Sequence, residues 1–322
     1  MFNNMRVLVA GGTGMVGIQL VKQLLKLGAK VRIASLDDAS RAHPEAEFKK
    51  TDLRNEQNCF DACQDMNYVF NLLCVKGSPA VASKYPVHFL SMTRYNSFLI
   101  EAAYKCGAQG YLFTSTNGVY QPAEVLHEDD VWTSYPSSND RFAGYAKRLG
   151  ELEAEGYRIQ YGWDVNIVRP ANIYGPYDNF DSVNAMVVPS LIKRAVSGED
   201  PFVVWGDGQS ERDFIHAKDV ARGMLCVAEK NPAVPVNIGS GIGTSIKTLV
   251  NIVLSNLDRK PRLIWDLEKP SGDLRRVLDT TRALDLGFSP TINLESGIAD
   301  TMRWYRDNGN KPQGRYEIFD KV

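Results

Sequence analysis

Val7-Leu8-Val9-Ala10-Gly11-Gly12-Thr13-Gly14-Met15-Val16-Gly17 is the stretch that decides the fold. Its first four residues are apolar and rich in β-branched side chains, the pattern of a short strand buried on both faces. Gly11, Gly14 and Gly17 follow at G-x-x-G-x-x-G spacing, and a helical periodicity of Val16, Leu20, Val21, Leu24 and Leu25 runs on to Gly28. A strand that hands over to a helix through bare glycines offers backbone N–H groups at a helix N-terminus, where a pyrophosphate can approach without meeting a Cβ. Three glycines alone are weak evidence, and their place between strand and helix gives them weight. The loop expected to hold a dinucleotide therefore comprises Gly11, Thr13, Gly14, Met15, Val16 and Gly17.

Outward from this unit the pattern repeats. Apolar, strand-like runs at 31–34, 68–73, 110–115 and 165–168 are separated by helical stretches, of which 98–103 is the clearest. Strands alternating with helices predict an α/β fold with a doubly wound parallel sheet. After Pro170 the texture changes: Gly175-Pro176, Pro189, Pro201, Gly206-Asp207-Gly208, Pro270 and Gly272 interrupt shorter elements. This predicts a dinucleotide-binding domain over 1–176, to which 214–242 returns with a strand near Val236-Asn237-Ile238. A smaller C-terminal substrate lobe takes 177–213 and 243–322.

The 322 residues, 44% hydrophobic, suffice for a large core, and a formal net charge of −1 shows no basic excess that would mark a nucleic-acid footprint. The five cysteines are odd in number and scattered, as expected of reduced thiols. His43, His88, His127 and His216 show no metal-ligand spacing, so no metal is expected. The first apolar run is broken at once by Gly11-Gly12, which leaves no signal-peptide core or membrane span, and the expected location is cytoplasmic.

Nucleotide choice is read at the ends of the second and third strands. Asp52-Leu53 falls where an adenine amino group is commonly met. After the second strand Ser35 stands where a ribose-reading acid is usual, with Asp37 and Asp38 just beyond and Arg41 close by. An acid there favours NAD and an Arg favours NADP. The paired carboxylates tip the expectation to NAD and leave NADP open.

Thr116 and Lys147 form a second constellation, a hydroxyl on a loop after a central strand and an amine on the next helix. The flanking segments make the likeness specific. They are Thr114-Ser115-Thr116-Asn117-Gly118-Val119-Tyr120, Ala143-Gly144-Tyr145-Ala146-Lys147, and Arg169-Pro170-Ala171-Asn172-Ile173-Tyr174-Gly175-Pro176-Tyr177-Asp178-Asn179-Phe180. Trp205-Gly206-Asp207-Gly208 and Arg212-Asp213-Phe214-Ile215-His216 complete the set. In this order they resemble the extended short-chain dehydrogenase/reductases of the nucleotide-sugar epimerase/dehydratase family, which have a Rossmann fold.

The resemblance implies a nicotinamide cofactor touched also by Leu73, Lys147, Pro170 and Asn172. It implies a nucleotide-sugar substrate, GDP-linked by likeness to the GDP-fucose synthase branch, touched by Asn117, Asn172, Asn179, Val188, Lys193, Trp205, Arg212 and Arg275. An ordinary alternative for Arg212 is an ion pair with Asp213 or Asp219. The helices around 91–103 and 142–154 would pair with a second subunit as a four-helix homodimer interface, or simply cover the sheet.

Departures from the family narrow the reaction. The phenol expected four residues before the Lys is replaced by Ala143, and Tyr145, about 200° further round a helix, is a poor substitute. Thr116, Tyr177, Asp178, Lys147 or a water remain as proton acceptors, so Thr116, Lys147 and Tyr177 are the candidate catalytic residues. In this the chain resembles GDP-heptose 4-dehydrogenase-like proteins, which lack the same Tyr. Asn117-Gly118 stands where dehydratases place Asp-Glu, and Gly118 and Tyr177 stand where GDP-fucose synthases use Cys and His. What survives is redox at C4 of the sugar, either as a 4-dehydrogenase or reductase or within a 4-epimerase. A catalytically inactive dinucleotide-binding sensor is the alternative of another class.

Overall fold

The computed structural model describes residues 1–322 except 182–183, 270–271, 310, 312–313, 317 and 322, so Pro270 lies outside the described residues. The strands are β1 (Arg6–Ala10), β2 (Lys30–Ser35), β3 (Glu47–Lys50), β4 (Tyr68–Asn71), β5 (Gly110–Thr114), β6 (Asp164–Pro170) and β7 (Asn172–Tyr174). They continue with β8 (Phe202–Trp205), β9 (Glu211–His216), β10 (Val236–Ile238), β11 (Gly243–Ser245), β12 (Leu263–Asp266) and β13 (Arg275–Arg276). The helices are α1 (Met15–Lys26), α2 (Glu56–Cys63), α3 (Pro79–Lys84), α4 (Pro86–Leu90), α5 (Met92–Lys105), α6 (Arg141–Tyr161), α7 (Val187–Val196), α8 (Ala217–Lys230), α9 (Ile246–Ser255), α10 (Thr281–Asp285) and α11 (Leu294–Asn308).

Seven strands make one parallel sheet in the order β10-β6-β5-β4-β1-β2-β3. Strand order reverses between β1 and β4, and in such sheets the crevice outside the carboxyl ends at that reversal takes the ligand. The sheet is covered on both sides, which explains why β1 reads as an unbroken apolar run. Val7 and Val9 face a cluster with Leu20, Leu24, Val220 and Met224 of α1 and α8. Leu8 and Ala10 face the opposite cluster with Cys59, Leu99 and Ala154 of α2, α5 and α6. The strand near 236–238 joins the sheet as β10, with Val236 opposite Val168 of β6. Strand β3, Glu-Phe-Lys-Lys, has no apolar run to announce it because it is an edge strand with no fully buried residue.

The remaining strands form β11-β9-β13 with β7 beside β9, and the pair β12-β8. Helices α7, α9 and α11 pack there around Leu191, Phe202, Leu249, Val253, Ile298 and Met302. Helix α6 is clamped to β6 by a buried ion pair, with Arg169 Nε donating to Glu151 Oε1 at 2.9 Å and Nη2 to Oε2 at 2.6 Å. Glu151 lies one turn beyond Lys147, so the clamp also fixes the face that carries the lysine. Among the described residues no helix is long and apolar enough to cross a membrane.

Candidate active site

Gly11, at φ +82°, turns the chain out of β1 in a conformation that favours glycine. A Cβ on Gly17 would collide with Gly11 O and come within 2.7 Å of Gly12 Cα, so this glycine is required by the turn itself. Gly14 differs. It is the N-cap of α1 with no side chain capping the helix, and a Cβ there would meet only Gly11 O, at 3.3 Å. Gly11, Thr13 and Gly14 line a cavity of about 260 Å³ along the carboxyl ends of β1, β2 and β4, shared with Asp37, Leu53 and Leu73. A dinucleotide fits these residues: an uncapped helix N-terminus, side-chain-free backbone and a carboxylate lie along one elongated cleft.

The carboxylate is Asp37. Thr13 Oγ1 donates to its Oδ2 at 2.7 Å and lies 2.7 Å from Ser35 Oγ, so the buried Thr13 hydroxyl ties the loop to the end of β2. Arg41 Nε stands 3.4 Å from Asp37 Oδ2 and donates to Thr13 O at 3.3 Å. Its charge is thus paired beside the acid. Asp38 caps the short 3₁₀ turn that follows, accepting from Ser40 N at 2.9 Å, and backbone and side-chain bonds to Ser40 hold its carboxyl below the usual range. Asp52 sits on the rim with its carboxylate gripped by Arg54 at 2.8 and 2.7 Å. Met15 and Val16 form the first turn of α1, and Val16 packs on the core; neither lines the cavity.

Lys147 reaches the same edge from α6. Its Nζ donates to Leu73 O at 3.0 Å and Thr114 O at 2.7 Å, bridging the ends of β4 and β5. Burial pushes its ammonium below the ordinary value. Thr116, two residues beyond Thr114, caps the following 3₁₀ turn, its Oγ1 accepting from Gly118 N at 3.1 Å. Asn117 opens that turn and is half-buried. Helix α6 is already formed at Ala143, so Tyr145 faces outward and is 40% exposed.

Several expected site residues are placed elsewhere. Tyr177 adopts φ +69°, and its ring packs 4.8 Å from Trp304 beneath Lys22, outside the lining of the dinucleotide cavity. Val188 is on the buried face of α7, its side chain in the core around Phe202 and Val250. Pro170 ends β6 and pairs with Ile238. Asn172 spends its amide on Asp213 O at 3.0 Å. Asn179 lines the dinucleotide cavity. Lys193 is half-buried on α7, and Trp205 is exposed at the end of β8 with Lys269 over its ring.

Arg275 pairs with Glu211 and donates to Glu124 O at 2.7 Å. Arg212 does not pair with Asp213 or Asp219. Asp213 is occupied by Ser240 and Gly241, and Asp219 by Arg222, Thr291 and Ile292. Burial and the neighbouring Arg276 instead hold the Arg212 guanidinium below its ordinary value.

The structure adds residues that sequence motifs did not single out. A Cβ on Gly118 would come 3.1 Å from Asp140 Cβ and Cγ, so the Asp140 carboxyl flanks the Thr116–Gly118 turn. Gly144, in the first turn of α6, packs so closely that a Cβ would stand 2.5 Å from Gly118 O. Arg276 pairs with both Asp140 and Asp273, and Asp273 accepts from Ser137 Oγ at 3.1 Å and Asn139 Nδ2 at 2.9 Å. The charged run Asp273-Leu274-Arg275-Arg276 after Gly272 was the available signal.

A doubly wound sheet with a glycine loop at β1, an acid after β2 and a buried lysine beside a threonine turn defines a dinucleotide-dependent enzyme of the short-chain dehydrogenase/reductase type. Residues 7–239 match the NAD dependent epimerase/dehydratase family, and the chain belongs to it. It is 30% identical to GDP-L-fucose synthase from Escherichia coli (strain K12) over 96% of this chain and 99% of that protein. It is likewise 30% identical to dTDP-4-dehydro-6-deoxy-D-allose reductase from Streptomyces bikiniensis, over 93% of this chain and 96% of the relative. Among solved structures, UDP-glucose 4-epimerase from Thermotoga maritima, determined with UDP-glucose, superposes with a TM-score of 0.84 at 26% identity, covering 95% of this chain and 100% of that one.

Proposed function

We propose that this chain is an NAD-dependent oxidoreductase acting at C4 of a nucleotide-activated sugar, with a GDP-sugar favoured, working as a 4-dehydrogenase or 4-ketoreductase. The observation that carries it is Lys147, buried at the ends of β4 and β5 beside the Thr116 turn, in a chain of this family. In this reading Gly11, Gly14 and the start of α1 hold the pyrophosphate, Asp37 the adenosine ribose and Lys147 the nicotinamide ribose. Bound NAD supplies the hydride acceptor, or as NADH the donor, at the sugar carbon. The GDP preference rests on the name of the Escherichia coli relative, and the 4-epimerase alternative on the likeness to the UDP-glucose enzyme.

The chain's own task is the proton on the C4 oxygen. With Ala143 in place of the phenol, Thr116 orients the hydroxyl and the Asp140 carboxylate receives the proton as the carbonyl forms; the Lys147 charge favours the developing alkoxide. In the reductive direction Asp140 returns it. Arg276 holds Asp140 in place, and Arg212, whose Nη1 donates to Glu211 O at 2.7 Å, keeps further N–H donors for the diphosphate. Residues 177–213 and 243–322 make the lobe that receives the sugar nucleotide. Tyr145, Leu149 and Leu152, exposed at i, i+4 and i+7 on α6, form the stripe of a homodimer interface with α5.

Thermal shift with nucleotides tests the substrate class. At equal concentration GDP should raise the melting temperature more than UDP or dTDP, because stabilisation follows affinity for the folded state. An equal or larger shift with UDP or dTDP would overturn the GDP preference.

A further inference from the structure

Beyond α11, Arg315, Tyr316, Ile318 and Phe319 lie along the dinucleotide cavity. Gly314 O accepts from Asp38 N at 2.8 Å, and Tyr316 N donates to Asp37 Oδ1 at 2.7 Å. Gly314 has φ +58°, and a Cβ there would stand 3.0 Å from Asp38 Cβ, so this approach requires glycine twice over. Arg315 Nη2 donates to Tyr177 O at 2.9 Å, and Arg54 donates to Tyr316 Oη at 3.3 Å with its guanidinium 5.7 Å from the ring. At the far side, Phe319 packs against Tyr85, His88 and Phe89 at 5.4, 5.8 and 6.2 Å between centroids. Arg315, Tyr316, Ile318 and Phe319 line the cavity between these anchors.

We infer that Gly314, Arg315, Tyr316, Ile318 and Phe319 form a cofactor-binding strap, anchored on Asp37 and Asp38 at one side and on α4 at the other, against which the dinucleotide is held. The inference rests on the reading of this cavity as the NAD site. The strap borders the space and does not fill it, since a cavity of about 260 Å³ remains beside it. It also leaves Asp37 usable. Each carboxylate oxygen accepts about two hydrogen bonds, so Oδ1 keeps capacity for a ribose hydroxyl after accepting from Tyr316 N.

The strap has a link to the missing phenol. Ala143 packs against the cluster of Val75, Phe89, Met92 and Tyr95, and Ile318 and Phe319 pack against the same cluster. The side chain at 143 and the strap thus share one apolar floor. Release of the dinucleotide then requires one anchor to let go, which makes the cofactor slow to exchange.

The test measures dissociation of NADH by stopped-flow fluorescence on the full chain, on Gly314→Val and on Phe319→Ala. Each variant loosens one anchor, and neither touches the Thr116–Lys147 centre. Each should release NADH at least about tenfold faster, equivalent to about 1.4 kcal/mol, while the melting temperature without cofactor stays close to that of the parent. Should Gly314→Val fail to fold, Phe319→Ala, at the opposite anchor, decides alone. Release rates equal to the parent's would overturn the strap while leaving the oxidoreductase reading intact. Slower release from the variants would show that the segment competes with the dinucleotide and would also overturn it. No NADH binding by any form would overturn the oxidoreductase reading, and the strap with it.

Discussion

Gly14 and Gly17 look equivalent in the sequence, yet the structure assigns them opposite sensitivities. In Gly17→Ala the new Cβ meets backbone on two sides, Gly11 O and, at 2.7 Å, Gly12 Cα, with no flexible side chain to give way. Overpacking of this kind costs about 1–3 kcal/mol, and more when backbone must move; the gain from replacing a helical glycine, about 1 kcal/mol, offsets part of it. A net loss of about 2 kcal/mol lowers the melting temperature by roughly 3 °C in a chain of 322 residues. In Gly14→Val the Cβ meets only Gly11 O at 3.3 Å, and replacing glycine at an N-cap costs under about 1 kcal/mol. Its side chain points into the cleft where the pyrophosphate would lie. Calorimetry with NAD should therefore show Gly14→Val binding weakened by at least about a hundredfold with its melting temperature nearly unchanged, a loss of about 2.7 kcal/mol of binding. Gly17→Ala should lose stability first. Retained NAD affinity in a folded Gly14→Val would refute the assignment of this loop.

Other consequences can be checked independently. Asp140→Asn should lower kcat by about a hundred- to ten-thousand-fold with KM little changed; a loss under about twofold would exclude Asp140 as proton acceptor. Burial, only partly countered by Asp300 and Asp219, lowers the pKa of His216, so the unfolded chain binds its proton more readily than the folded one. Stability should fall as pH drops below about 6.5, and in urea titrations His216→Asn should flatten that slope; an unchanged slope contradicts the assignment. Leu149→Glu on the exposed face of α6 should convert a dimer to monomer in sedimentation, and a parent chain that is already monomeric would refute the interface.

What the sequence disclosed and what it hid follow from range. The central sheet was legible because β1, β4, β5 and β6 are buried on both faces and read as apolar runs, and the glycine loop because its constraint is local. Strand β3 was not, since an edge strand needs only half an apolar face. Helical spacing could not tell that Val188 faces a core, and motif position could not show that φ +69° at Tyr177 turns its ring toward Trp304. Asp140 and Arg276 are 136 residues apart, as are Ser137 and Asp273, so only the fold brings this network together. The strap was invisible for the same reason: Asp37 meets the N–H of Tyr316 279 residues later, and a backbone donor leaves no mark in a motif.

The most direct test of the central claim mixes the enzyme with NAD and GDP-, UDP- and dTDP-sugars in heavy water and follows absorbance of reduced nicotinamide together with product mass. The account predicts NADH formation with a sugar nucleotide, GDP-linked in the favoured case. The product should be two mass units lighter, without loss of water and without deuterium at C3 or C5, and Lys147→Met should abolish the signal. Intact NAD binding with no reduction by any of these sugars, in either direction, would contradict it and leave an inactive dinucleotide-binding module as the better description.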